Sequence, residues 1–504
     1  MNSKLLALIV LAGPGFLFAS LLFFPADGRK KRDNPADQRA TNYQGFASTS
    51  ETQTLTVLNA GAVANGDTFT VQLSNEGWKP FKYKLSTNTS FADVASWSDM
   101  PANRLLSFTI APLPGDQIIY GKFLMSGNKE VNANATVNYL GRSVFVDINT
   151  GSDANSGVSV SKPLKTLVAG YALAVSGNYS NILVASGTYN RANGGLNAAG
   201  DGLIVTRSGL RFIGGFAAGF SNYTTHSMLD SQRLPDCRTL QFLNVNDVTF
   251  TGFHVRGGTN QDPNYPHGGG ILIQGVNRGW FTNIVVTSNF STNGGGGIGV
   301  VDSSSLRISG LISTNFTSLA FGKGGGIFIT NSSYITNVVL MEKNSAAYGY
   351  QFVASGPGSG YNYLSGIVRD PLSGGFIDCS VKIIDHGGPM TIESCVITNL
   401  INHGIGLAFN SPYNNQPDLV IRSNIIGVQN VVTRFCIWES VSLAVNNVSN
   451  HWVHNNVFMT NALASFYQNY ASMNLPFNGI GPGAMNTPLH FNHDAIMGGN
   501  TFYP

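Results

Sequence analysis

Asn289-Phe290-Ser291-Thr292-Asn293-Gly294-Gly295-Gly296-Gly297-Ile298-Gly299-Val300 is the stretch that decides the fold, because both of its halves recur along the chain. The glycine half returns as Gly268-Gly269-Gly270-Ile271-Leu272-Ile273 and as Gly324-Gly325-Gly326-Ile327-Phe328-Ile329. Continued by pattern, the strand start reaches Tyr350-Gln351-Phe352, Phe376-Ile377-Asp378, Leu407-Ala408-Phe409 and Cys436-Ile437-Trp438, at spacings of 27, 29, 23, 26, 31 and 29. The asparagine half forms a second ladder: Gly258, Asn289, Asn315, Asn344, Asp370, Asn399, Asn430 and Asn461. Gly, Asn and Asp enter the left-handed backbone region at least cost, which a tight corner between strands requires. Stacked Asn side chains also satisfy one another along a column.

Two ladders advancing together at about 29 residues define a solenoid. The fold expected is all-β: a right-handed single-stranded parallel β-helix of about ten coils over residues 142–462, preceded by a small antiparallel β-sandwich. The sandwich follows from apolar and polar alternation between residues 52 and 141, as in Phe69-Thr70-Val71-Gln72-Leu73 and Phe81-Lys82-Tyr83-Lys84-Leu85. Beyond Asn461 the pattern turns aperiodic, so residues 463–504 read as a C-terminal cap. Residues 29–51 read as a linker.

Composition agrees with an elongated array. Of 504 residues, 59 are Gly and only 11% are charged, against about a quarter in ordinary globular chains. Beyond Arg32 there are 24 basic residues against 25 acidic ones. A body so neutral has no electrostatic footprint for nucleic acid or an anionic membrane. Lys4, the apolar run from Leu5 to Pro25 and Ala26-Asp27-Gly28 give residues 1–28 two readings, a cleaved signal peptide or an uncleaved anchor. Both imply export to the cell surface or beyond, with membrane contact only through that segment. Cys237, Cys379, Cys395 and Cys436 allow up to two disulfides, or stand as small buried apolar residues. Eight Asn-x-Ser/Thr sequons occur, two of them at ladder positions Asn289 and Asn315, where a glycan would not fit.

Three resemblances attach to particular stretches. Val144-Phe145-Val146-Asp147, Gly151-Ser152-Asp153-Ala154-Asn155-Ser156-Gly157 and Lys162-Pro163-Leu164-Lys165-Thr166-Leu167 resemble the opening of the pectate lyase-like superfamily. The repeats from Asn289-Phe290 and Asn315-Phe316 resemble polymorphic outer-membrane and related surface β-helix proteins, without a C-terminal membrane barrel. Trp78 through Leu85, Leu106 to Ile110 and Ile118 to Phe123 resemble bacterial immunoglobulin-like or fibronectin III-like modules.

The superfamily resemblance implies chemistry on the outer face of one parallel sheet, by acidic calcium ligands or paired carboxylates with a cationic base. The outward middle positions of the first ladder are Leu272, Gly299, Phe328, Gln351, Ile377, Ala408 and Ile437, none of them acidic. Candidate catalytic groups are therefore Asp378, Asp385, His386, His403, Arg422, Arg434 and Glu439, crowded between residues 376 and 440. Tyr361 and Tyr363 are the candidate sugar platforms, each a flat apolar ring with a polar rim. The expected role is adhesive, structural or glycan-binding, with a polysaccharide or cell-surface glycan as partner. The alternative is a polysaccharide lyase or glycoside hydrolase. No cofactor is evident, and Ca2+ enters only with the lyase alternative.

Overall fold

The computed structural model describes residues 55–57, 68–73, 79–109, 115–139, 142–220, 222–262, 267–318, 320–369, 379–399, 403–409, 419–428, 435–441, 451–460, 465–470, 476–477, 495–498 and 501–503. Residues 1–54, the expected export segment and linker, lie outside them. Among the described residues no helix is long and apolar enough to cross a membrane.

A single turn shows how the sequence makes the solenoid. Strand Ile271–Gln274 bends into the long strand Asn277–Thr287, and two residues, Phe290–Ser291, start a third face before the glycine run returns the chain. The next turns repeat this with Ile298–Val301, Ser304–Ser313 and Phe316–Thr317, then with Ile327–Thr330 and Ser333–Glu342. Pairing between turns is parallel on all three faces. The faces are an 11-stranded sheet of short strands, a 17-stranded sheet of long ones and a 3-stranded ribbon. This is a parallel β-helix.

Alternate residues of each strand enter one continuous core that runs from Val144 to Ile437. Ile271, Ile298 and Ile327 stack there, as do Phe281, Ile308 and Val286, Ile312. Burying each such side chain contributes about 1.5–3 kcal/mol. The corners are held by side-chain ladders. Asn289 N–H and Nδ2 both donate to Asn315 Oδ1, at 3.1 and 2.9 Å, and Asn315 repeats this toward Asn344 at 2.9 and 3.0 Å. At another corner Ser303 N–H donates to Ser332 Oγ and Ser332 N–H to Ser359 Oγ. Asn424 and Asn456 form a third column.

The N-terminal end is covered by helix Leu167–Ser176, capped by Thr166 Oγ1, which accepts from Ala169 N–H at 3.1 Å. Gly170 lets it approach the core: a Cβ there would stand 2.4 Å from Val146 Cγ2. Ahead of the solenoid, two antiparallel sheets enclose a second core of Leu55, Val71, Leu85, Leu106, Ile119 and Phe123, which is a β-sandwich.

The structure changes several expectations. The solenoid has about seven turns rather than ten, and among the described residues three of them carry a strand on the third face. Parallel stacking continues past Asn461: Ser465–Tyr470 pairs with Phe435–Val441, and Ala495–Gly498 with His451–His454. The first ladder is right through Ile327 and then slips. Ile327-Phe328-Ile329 pairs with Phe352-Val353-Ala354, then with Val381-Lys382-Ile383, Ile405-Gly406-Leu407 and Ile437-Trp438-Glu439. A two-residue shift in a strand returns the same faces, so Tyr350-Gln351-Phe352 and Phe352-Val353-Ala354 look alike in sequence. The middle positions of the later rungs are thus Val353, Lys382, Gly406 and Trp438. Gln351 is buried instead and accepts from Asn344 Nδ2 at 2.6 Å, ending the asparagine column. Asn399 pairs with Val428, and Asn430 lies outside the described residues. Asp370 and Asp378 lie outside the described residues.

Candidate glycan-binding face

The long-strand sheet turns one side to solvent, and its register aligns side chains from successive turns into columns. Thr249, Trp280, Arg307, Thr336, Tyr363, Thr391 and Val420 are consecutive partners in one column. Trp280 is 44% exposed, Arg307 is exposed and Tyr363 is half-buried. Two residues earlier, at the corner, runs a second column: Asp247, Arg278, Ser305, Tyr334 and Tyr361. All five have positive φ, between 53° and 61°, which swings each side chain outward at the bend.

The chemistry of this corner column changes along the axis. Arg278 Nε and NH2 donate to the two Asp247 carboxylate oxygens, each at 2.6 Å. Further along, Tyr334 and Tyr361 lie face to face with ring centroids 4.8 Å apart and planes 1° apart. They are 56% and 59% exposed. Two large rings held in the left-handed region and left in water bury little of their own surface, so core packing does not account for them. Together the columns make a strip of Trp280, Tyr334, Tyr361 and Tyr363 interleaved with Arg278, Ser305, Arg307 and Thr336. From Trp280 to Tyr363 it rises three rungs, roughly 14 Å.

At the far end of the strip, Arg422 NH2 donates to Glu393 Oε2 at 2.9 Å across neighbouring turns. Burial raises the Tyr363 hydroxyl above its ordinary pKa, with Ser365 opposing and Glu393 adding to the rise. The structure therefore brings three sequence candidates, Tyr361, Tyr363 and Arg422, to one face, and adds Glu393.

The remaining candidates are elsewhere. His386 is 2% exposed and sits at the turn after strand Cys379–Ile384. Its Nδ1 lies 2.6 Å from Gly388 O and its Nε2 3.0 Å from Asn362 Nδ2. That network places the proton on Nδ1, since Asn362 Oδ1 already accepts from Ile335 N–H at 3.0 Å. Burial lowers its pKa to about 4, so the ring is a neutral corner brace. Asp385, beside it, has φ 43° and donates its N–H to Ala408 O at 3.0 Å. His403 is paired with Cys379 and Glu439 with Leu407, both on the short-strand sheet. Asp378 and Arg434 lie outside the described residues. Cys237, Cys379 and Cys395 are buried. Among the described residues no group of three or more His, Cys, Asp or Glu side chains is placed to hold a metal ion.

Trp280 and Tyr334 escaped the sequence reading. Counting back ten from Asn315 and Asn344 aligns Ser305 with Tyr334, and counting back eight aligns Arg307 with Thr336. Trp280 stands nine before Asn289, because the pairing shifts by one residue between Phe281 and Ile284, so only the strand pairing puts it in the column.

No described protein family matches this chain. No curated protein matches it either. Among solved structures, the family 28 exopolygalacturonase of Yersinia enterocolitica is 10% identical, covering 83% of this chain and 98% of its own, with a TM-score of 0.25. The family 136 lacto-N-biosidase of Eubacterium ramulus is also 10% identical, covering 72% of this chain and 68% of its own, with a TM-score of 0.28. At such scores the superpositions add nothing to the strand pairing, which by itself defines a parallel β-helix protein.

Proposed function

We propose that this chain is an exported, cell-surface β-helix protein that binds polysaccharide along the aromatic strip of its long-strand sheet. The exposed, parallel-stacked pair Tyr334 and Tyr361 is the observation that carries the reading. Sugar rings present an apolar face and a polar edge, and an exposed aromatic ring offers the same two features in complement. The rung repeat and the advance of one pyranose along a chain are of similar size, so a glycan laid along the axis meets a new side chain at each ring. Arg278, Ser305, Arg307 and Thr336 then supply hydrogen bonds at its edges. The β-sandwich, as an immunoglobulin-like module, serves as a spacer between the solenoid and the cell.

A panel of insoluble and soluble polysaccharides, assayed together for retention and for new reducing or unsaturated ends, tests this. Retention without cleavage is expected. Glycoside hydrolysis uses two carboxyl groups, and the strip offers Glu393 already paired with Arg422. Cleavage products would support the lyase or hydrolase alternative, and absence of retention across the panel would overturn the binding role.

A further inference from the structure

Across the corner from Asp247 and Arg278, on the same two turns, the outer side of the short-strand sheet holds a cavity of about 320 Å³. Gln241 and Leu272 are rung partners at its floor, and Gln274 stands at the end of the second strand. Asp201, Arg238 and Asp262 come from the loops around it. These residues did not figure among the sequence candidates.

The polar groups are organised around a buried arginine. Arg238 is 6% exposed; its Nε donates to His267 O at 3.2 Å and its NH1 lies 3.7 Å from Asp201 Oδ2. Asp201 Oδ1 accepts from Arg238 N–H at 2.7 Å, and its Oδ2 accepts from Gln241 Nε2. Asp201 thereby fixes both the guanidinium and the Gln241 amide. Asp262 and Asp236 act on the same guanidinium. The lining thus presents two carboxylates against one cation that is already engaged, together with two glutamine amides over an apolar floor at Leu272.

We propose that this cavity holds one uncharged hexopyranose unit of the glycan that the aromatic strip binds, and rejects a uronate in the same place. The inference rests on the strip reading above. Amides and carboxylates arranged over an apolar floor hydrogen-bond hydroxyls around a ring whose flat face packs on Leu272. A uronate carboxylate would instead face Asp262 while Arg238, the one cation among the lining residues, is held by Asp201 and His267 O, and like charges brought together out of water are strongly disfavoured.

The test is isothermal titration of the full chain with neutral tetrasaccharides of glucose, galactose, mannose and xylose, and with tetragalacturonate. Wild type, Asp262→Asn, Gln274→Ala and Tyr361→Ala are compared, with circular dichroism confirming the fold of each. At least one neutral hexose tetrasaccharide is expected to bind about tenfold or more tighter than tetragalacturonate. Gln274→Ala should weaken that binding about fivefold, and Asp262→Asn should raise tetragalacturonate affinity. Tetragalacturonate binding as tightly as any neutral probe overturns the proposal, as does indifference to both Gln274→Ala and Asp262→Asn. If Tyr361→Ala still weakens binding in that second case, the strip stands and the cavity alone falls. If no probe binds, both fall.

Discussion

Replacing Asn315 with alanine should cost more stability than any surface change in the solenoid. Asn315 is fully buried, and its amide takes part in four hydrogen bonds. Its Oδ1 accepts from Asn289 N–H and Nδ2, and its Nδ2 donates to Val286 O at 2.9 Å and Asn344 Oδ1 at 3.0 Å. Asn289 Nδ2 retains Val255 O, and Asn344 Oδ1 retains the Asn315 backbone N–H. The groups stripped by Asn315→Ala are therefore the Asn289 N–H and the side-chain donor to Val286 O. An unmet buried polar group costs about 1–3 kcal/mol, so two of them and the small void predict a loss of about 3–5 kcal/mol. In a solenoid, where each turn contacts only its neighbours, that loss falls on the adjoining turns. Urea unfolding by circular dichroism, with amide exchange over residues 277–342, measures it. Asn315→Asp is the control of shape: it keeps both acceptor contacts but sets a carboxylate oxygen against Val286 O and Asn344 Oδ1. It should be at least as damaging. A loss below about 1 kcal/mol for the alanine variant would refute the ladder as a structural device.

Other substitutions separate backbone geometry from packing. Gly310 has φ 148°, and a Cβ there would lie 1.9 Å from Ile284 O, whereas Gly209 at φ 74° has nothing within 4 Å. Thermal unfolding should show Gly209→Ala costing about 1 kcal/mol and Gly310→Ala clearly more, with the bend of the long strand disturbed. His386 and His267 both have pKa values lowered to about 4 by burial, below the unfolded value of 6.5. The unfolded chain then binds more protons, so stability is full above about pH 6.5 and falls as pH drops toward 4. For His386 the span is worth about 3 kcal/mol. Urea midpoints at pH 7 and pH 4.5 should differ, and His386→Gln should shrink the difference; an unchanged difference contradicts the neutral-brace assignment. Cys237, Cys379 and Cys395 should resist a thiol reagent in the native state and react after unfolding, with burial raising Cys395 to about 12. Fast labelling of the folded chain would contradict their burial.

The solenoid was legible because its two ladders use different chemistry. Isoleucines after glycine mark strand starts, and asparagine marks a corner, so either ladder checks the other between Gly258 and Asn344. Where the asparagine column ends on Gln351, that check is lost and the strand register drifts. The sandwich core was legible from alternation alone, as with Val71 and Leu85. The candidate site was less so. Tyr361 was marked by composition, but its partner Tyr334 is 27 residues away, and only inter-turn pairing makes one platform of the two. His386 shows the reverse: its type suggested chemistry, while its surroundings make it a brace. Asp201 and Arg238 are separated by a full coil in sequence, and nothing local announces that a backbone N–H and a guanidinium share one carboxylate.

The most direct measurement of the account is polysaccharide retention by the Tyr334→Ala/Tyr361→Ala double variant beside wild type. Both rings are exposed, so the double variant should keep the wild-type circular dichroism spectrum and unfolding midpoint. Affinity for a polysaccharide that the wild type retains should fall about tenfold or more. Undiminished retention by a folded double variant would contradict the strip as the binding face.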